Sequence, residues 1–216
     1  MTERDDPHGN QPLRTAGTPL ADARVAVVMA HGRGATAESI LTLAPALMAD
    51  GVGFLAPQAA GGTWYPFGFM SPIEKNEPGI TSGMRAIART IELASKAGIP
   101  LKKTLLLGFS QGACLSSEYA ARHAVRFGGV AALSGGLIGP DGTPRDYPGS
   151  LDGTPVFFGC SDVDSHIPAA RVRDSAEVMK RLGGDVDVRL YPDMGHQVNE
   201  DELSAVRAML AAALHA

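Results

Sequence analysis

Three separated segments carry side chains suited to covalent acyl transfer. In Gly108-Phe109-Ser110-Gln111-Gly112 a serine stands two positions from a glycine on either side, after the apolar run Thr104-Leu105-Leu106-Leu107 and before a helical stretch. A serine lifted out of a sheet on a tight strand-to-helix turn needs neighbours without Cβ bulk at those two positions. The same turn sets the Gln111 backbone N–H at the start of a helix, where the dipole favours a developing oxyanion. A serine hydroxyl is a weak nucleophile and requires a base, usually a histidine oriented by a carboxylate. Of six histidines, His196 is best placed, in the loop Tyr191-Pro192-Asp193-Met194-Gly195-His196 after the last expected strand. The acid should follow the preceding strand, where Ser161-Asp162-Val163-Asp164-Ser165-His166-Ile167-Pro168 offers Asp162 or Asp164.

A second oxyanion donor must come from the loop after an early strand, and His31-Gly32-Arg33-Gly34 occupies that place. Its glycines let the backbone approach a substrate, and the Arg33 N–H is the expected partner of Gln111. His31 is read as a structural pin for this loop and His166 as a surface residue. The order serine, acid, histidine is that of α/β-hydrolases and differs from the orders in other serine hydrolase folds.

These residues need a scaffold, and the hydrophobic pattern supplies one. Runs at 23–30, 52–56, 103–109, 129–134, 155–159 and 186–191 read as strands, several of them apolar throughout, as in a parallel sheet buried on both faces. Helical spacing is read over 36–50, 80–98, 111–123, 169–182 and 200–214, with Ser82 as one option for a cap. The alternation predicts an α/β fold, a mostly parallel sheet with helices on both faces. Residues 1–22 form a polar segment, in part disordered or an edge strand, and 23–216 a single α/β-hydrolase domain with no cap domain and a shallow, open site. Two stretches are left over, 57–79 and 139–154. The first carries Trp64, Tyr65, Phe67, Phe69 and Met70, read as the lining of an acyl or aryl pocket.

Composition narrows the partners. With 19 Lys+Arg against 23 Asp+Glu the net charge is −4, and no cationic stripe of the kind that binds nucleic acid is present. Apolar runs stop short of the ~18 to 20 residues that span a bilayer, so no integral membrane association is expected. The N-terminus lacks the order of an export signal, which places the chain in the cytoplasm with Cys114 and Cys160 as core thiols. A fifth of the chain is Gly or Pro, 26 and 15 residues, which mark its turns.

The set His31-Gly32-Arg33-Gly34, Gly108-Phe109-Ser110-Gln111-Gly112-Ala113, Asp164-Ser165-His166-Ile167-Pro168 and Gly195-His196 resembles the phospholipase/carboxylesterase family of α/β-hydrolases, relatives of the acyl-protein thioesterases. The likeness runs from about residue 24 to the C-terminus. It implies Asp164 rather than Asp162 as the acid, hydrolysis of a small-molecule ester or thioester, and no metal or organic cofactor. Arg33 replaces the hydrophobic residue that many acyl-protein thioesterases carry after their His-Gly, and Trp64-Tyr65-Pro66 replaces their Trp-Phe/Tyr-Asp. Together with Phe67-Gly68-Phe69-Met70, this is more similar to the bacterial carboxylesterase branch. The expectation is therefore a carboxylesterase for short-chain or aryl esters. The alternatives are a long-chain lysophospholipase or acyl-protein thioesterase and, from another class, a non-catalytic binding protein on a hydrolase scaffold. A homodimer is left open.

Overall fold

In a computed structural model, residues 6–216 are described; residues 1–5 of the polar N-terminal segment lie outside them. The apolar runs lie side by side in one seven-stranded sheet. The strands are β1 (Leu13–Gly17), β2 (Val25–Ala30), β3 (Val52–Pro57), β4 (Thr104–Phe109), β5 (Gly129–Leu133), β6 (Pro155–Ser161) and β7 (Asp185–Tyr191). Their spatial order is β1-β3-β2-β4-β5-β6-β7. Only β1 runs antiparallel, pairing Leu13 with Pro57 and Gly17 with Gly53 at the sheet edge. The helices are α1 (Ala37–Leu41), α2 (Ala44–Leu47), α3 (Gly79–Lys96), α4 (Gln111–Arg122), α5 (Ala169–Arg181) and α6 (Glu200–His215).

Strand alternation sorts the core into two layers. Val28 and Ala30 of β2, Leu106 of β4 and Phe158 of β6 face α3, α4 and α5, where Ile87, Leu115 and Met179 meet them. Val27, Met29, Leu107 and Phe157 face the other way, onto Ile40, Leu47, Val206 and Leu210 of α1, α2 and α6. Each such Val, Leu, Ile, Met or Phe side chain, once fully buried, contributes about 1.5–3 kcal/mol.

Two sequence readings need correction. The helix expected over 36–50 is two short ones. Thr36 caps the first by accepting from the Ser39 N–H at 3.2 Å, and Pro45 opens the second, since it cannot donate to a continuing ladder. Ser82 does not cap α3, which starts at Gly79 after Pro78. It lies inside the first turn, where its hydroxyl donates to Asp6 at 2.5 Å and accepts from the His8 N–H at 2.9 Å.

The chain leaves β2 for β3 on one side and returns past it to β4 on the other. The crevice between the carboxyl ends of β2 and β4 is where such sheets bind ligands. The loops at these ends are His31–Thr36 and the turn at Ser110. The connections 57–79 and 134–154 contain no α-helix before Gly79, so no cap covers the crevice. No helix among the described residues is long and apolar enough to cross a membrane.

Candidate active site

The turn after β4 is as tight as its glycines suggest. Ser110 has φ 54° and ψ −120°, a region that costs a non-glycine residue about 1–3 kcal/mol. A Cβ on Gly112 would stand 2.1 Å from the Ala30 carbonyl oxygen, and one on Gly108 would stand 2.3 Å from the Gly112 carbonyl. Side chains at either position would push β2, β4 and α4 apart. The strained turn is held by the Ser110 N–H donating to Leu133 O at 3.0 Å and by the Cys114 N–H donating to Ser110 O at 3.0 Å.

His196 reaches this serine from the loop after β7. Its Nε2 lies 2.9 Å from Ser110 Oγ and its Nδ1 lies 2.7 Å from Asp164 Oδ2. With the Nδ1 proton donated to Asp164, Nε2 is left to accept the serine proton. Asp164, with its side chain fully buried, also accepts at Oδ1 from the His166 and Ile167 N–H groups at 2.8 and 3.0 Å. Burial pushes its carboxyl up, but the bonds from His196, His166 and Ile167 outweigh that and hold it below the usual carboxylate range. The other acid has a different task. Asp162 accepts from the Asp193 N–H at 3.0 Å, stapling the histidine loop to the loop after β6. The Gly195 N–H, donating to Ser161 Oγ at 3.1 Å, adds a second staple.

On the opposite side of Ser110, His31 pins the loop after β2. It is fully buried, accepts from the Ala59 N–H at 3.1 Å on Nε2 and donates from Nδ1 to Gly32 O at 2.8 Å. Burial lowers its basicity, in keeping with a neutral ring. The N–H groups of Arg33 and Gln111 have no acceptor among the described residues. Both residues also spend their side chains on one loop. Gln111 accepts from the Trp64 N–H at 2.9 Å and donates to Tyr65 O at 2.8 Å. Arg33 donates to Pro66 O at 2.8 Å and to Phe67 O at 2.5 Å.

A cavity of about 370 Å³ opens beside the serine. Its buried wall is apolar, made by Tyr65, Phe69, Cys114 and Ile167, while exposed Arg33 and His166 stand at its rim. This corrects the aromatic lining expected from sequence, of which only Tyr65 and Phe69 line the cavity. Trp64 is wholly buried, its indole N–H donating to His31 O at 2.8 Å. Phe67 points to solvent, 52% exposed, and Met70 packs on the core layer beneath. His166 is exposed, yet it lines the cavity, its ring centroid 4.7 Å from that of His196. Phe109, 5.0 Å from the same ring, and Ile167 were not anticipated as lining, although both stand beside motif residues. His8 was also missed. It accepts from the Ala60 N–H at 3.0 Å and donates to Trp64 O at 2.9 Å, fastening the N-terminal segment to the loop behind the site. Among the described residues no three His, Cys, Asp or Glu side chains converge as metal ligands would.

The model of the Phospholipase/Carboxylesterase family matches residues 18–214. A crystal structure of a phospholipase/carboxylesterase from Dyadobacter fermentans is 36% identical, superposes with a TM-score of 0.89, and the match covers 94% of this chain and 97% of that one. A carboxylesterase from Mesorhizobium loti shares the fold at 24% identity, with a TM-score of 0.71 over 93% of this chain and 94% of that one. Acyl-protein thioesterase 1 of Gibberella zeae is 33% identical over 135 residues, 61% of this chain and 57% of that protein. The match thus spans little more than half the length of this curated relative. By its family model and its α/β-hydrolase architecture, the chain belongs to the phospholipase/carboxylesterase family.

Proposed function

We propose that this chain is a serine carboxylesterase acting on short-chain or aryl esters. The observation that carries the reading is the continuous relay from Ser110 Oγ through His196 to Asp164, with spacings of 2.9 and 2.7 Å. Ser110 Oγ attacks the ester carbonyl carbon while His196 Nε2 takes its proton. Asp164 holds the imidazole in the required tautomer and stabilises the imidazolium. The carbonyl oxygen, now an oxyanion, is received by the N–H groups of Arg33 and Gln111, each worth about 3–4 kcal/mol in sites of this type. As the C–O bond breaks, His196 returns the proton to the departing alcohol and leaves an acyl-serine. Water, deprotonated by the same histidine, then releases the acid. The acyl group rests against Tyr65, Phe69, Cys114 and Ile167. At about 370 Å³ the cavity lies near the lower end of the ~300–1,000 Å³ common to ligand pockets, which favours short acyl groups. We place the chain in the cytoplasm, acting on small molecules.

The test is hydrolysis of p-nitrophenyl esters across acyl lengths, with labelling by a fluorophosphonate probe. Short chains should be preferred, Ser110→Ala should lose both activity and labelling, and its circular dichroism should be unchanged. Full activity in Ser110→Ala would overturn the assignment of the nucleophile. A preference for long chains would favour the lysophospholipase or acyl-protein thioesterase reading. Absence of labelling in the parent protein would favour a non-catalytic scaffold.

A further inference from the structure

We propose that the rim of this cavity is a carboxylate-binding subsite for the leaving group, so that the favoured substrates are esters of alcohols or phenols that bear an anionic group. The inference rests on the esterase reading above. Arg33 lines the cavity and has no carboxylate partner among the described residues. Its two bonds go to the neutral carbonyls of Pro66 and Phe67, and its guanidinium carbon stands 6.0 Å from the centre of the Tyr65 ring. Those bonds fix where the guanidinium points and leave its full positive charge uncompensated. A guanidinium needed only to hold the loop would not have to line the cavity.

A second donor stands nearby. The His166 ring is exposed and lines the cavity, and among the described residues neither of its nitrogens has a hydrogen-bond partner. Its edge-on contact with His196 sets it beside the group that protonates the leaving oxygen. None of the residues lining the cavity is Asp or Glu. Asp164, beside lining residues His166 and Ile167 in sequence, is not itself part of the lining and has its carboxylate spent on His196 and on the His166 and Ile167 N–H groups. In a chain of net charge −4, a rim with a fixed cation and a free imidazole and no acid is a local reversal of sign. The acyl group has the apolar wall available to it, so the anion is assigned to the other side of the scissile bond, at the solvent-facing rim. There the fixed positive charge of Arg33 can meet a carboxylate in a charge-assisted contact, which the ammonium of a lysine can also supply.

The experiment compares 4-(butyryloxy)benzoate with its methyl ester, and phenyl hemisuccinate with phenyl butyrate, as ratios of kcat/KM. The ratio for each pair is followed across variants, so that intrinsic reactivity and general damage to the site cancel. For the benzoate pair, Arg33→Met should lower the anionic-to-neutral ratio about tenfold, Arg33→Lys should restore most of it, and His166→Asn should lower it by a smaller factor. In the parent protein the ratio should fall as NaCl rises from 0.05 to 1 M, since the screening length shrinks to ~3 Å at 1 M. That arm needs no variant to fold. A benzoate ratio unmoved by Arg33→Met or by salt overturns the subsite. So does a ratio that Lys fails to restore, which would reduce Arg33 to a holder of the loop. Dependence of the hemisuccinate pair alone would overturn the assignment to the leaving group. If none of the four esters is cleaved and the fluorophosphonate does not label Ser110, it is the esterase reading that fails.

Discussion

Glu202 is buried without a full set of partners, and this makes stability depend on pH in an unusual direction. It occupies the first turn of α6, where its N–H donates to Asn199 Oδ1 at 2.9 Å and its Oε2 accepts from the Asn199 N–H at 2.8 Å. Its Oε1 has no partner among the described residues and is pressed against β6, 2.2 Å from where a Cβ on Gly159 would be. Burial pushes the carboxyl up to about 7 from an ordinary 4.5, the Asn199 N–H pulls it part of the way back, and Asp201 adds a further push upward. Because the folded state holds this proton more tightly than the unfolded one, folding costs nothing extra below about pH 4.5 and progressively more as pH rises toward 7. Linkage with those two values gives a penalty of about 1 kcal/mol at pH 5 and about 3 kcal/mol at pH 8. Glu202→Gln keeps an oxygen for the Asn199 N–H and cannot ionise. Its amide nitrogen inherits the unpartnered position at a pH-independent cost of about 1–3 kcal/mol. The informative quantity is therefore a double difference. Urea unfolding at pH 5 and pH 8 should show the parent losing about 2 kcal/mol more than Glu202→Gln over that interval. Parallel pH dependences, within about 0.5 kcal/mol, would show that this carboxyl is not destabilised by burial.

Asp164→Asn should lower kcat on p-nitrophenyl butyrate about 10³- to 10⁴-fold, as expected when the base loses its tautomer. Asp162→Asn, which only loosens the staple to Asp193, should stay within about tenfold, and the reverse ranking would refute the assignment of the acid. Phe69→Ala should reduce kcat/KM for the same ester about tenfold by removing an apolar wall, and Phe67→Ala should leave it within about twofold, because that ring faces solvent. Burial pushes both Cys114 and Cys160 thiols up to about 12, so at pH 8 only about one in 10⁴ is thiolate. Ellman's reagent should find no thiol in the native protein and two after denaturation. Rapid native labelling of either would show the core to be open there.

The sheet was readable where burial is complete. All six residues of β2 are buried, as are the first five of β4, and a strand covered on both faces leaves an uninterrupted apolar run. The strand Leu13–Gly17 escaped individual identification because it lies at the sheet edge with none of its five residues fully buried, and LRTAG carries no alternation strong enough to mark it. The break in the helix at 36–50 had a signal in Pro45, but the apolar spacing of Ile40, Leu43 and Leu47 continues through it and reads as one face. Among the site residues, the Ser110 turn was legible because steric exclusion leaves glycine no substitute at 108 and 112. The choice between Asp162 and Asp164 came from the family resemblance and not from spacing. Two residues apart on a loop, they differ in what each one meets: Asp164 the His196 ring and the N–H groups of its own loop, Asp162 the Asp193 N–H of the histidine loop.

The pocket wall was the least legible part, and the reason lies in how its loop is held. Residues 64–67 have no regular period to say which aromatic faces inward. Their direction is set instead by polar ties from elsewhere: Gln111 grips Trp64 and Tyr65, and Arg33 grips Pro66 and Phe67. Asn76 adds another, accepting from the Phe67 N–H at 2.8 Å and donating to Gly68 O at 3.0 Å. This turns Phe67 outward while Tyr65 is drawn in. On the esterase reading proposed above, the two residues whose backbone N–H groups would meet the oxyanion, Arg33 and Gln111, are thus the two whose side chains hold the cavity wall. That reading puts the wall and the oxyanion donors in register because the same residues supply both. A change of loop sequence that weakens these ties would shift the carbonyl relative to its donors, and would reach kcat as well as KM.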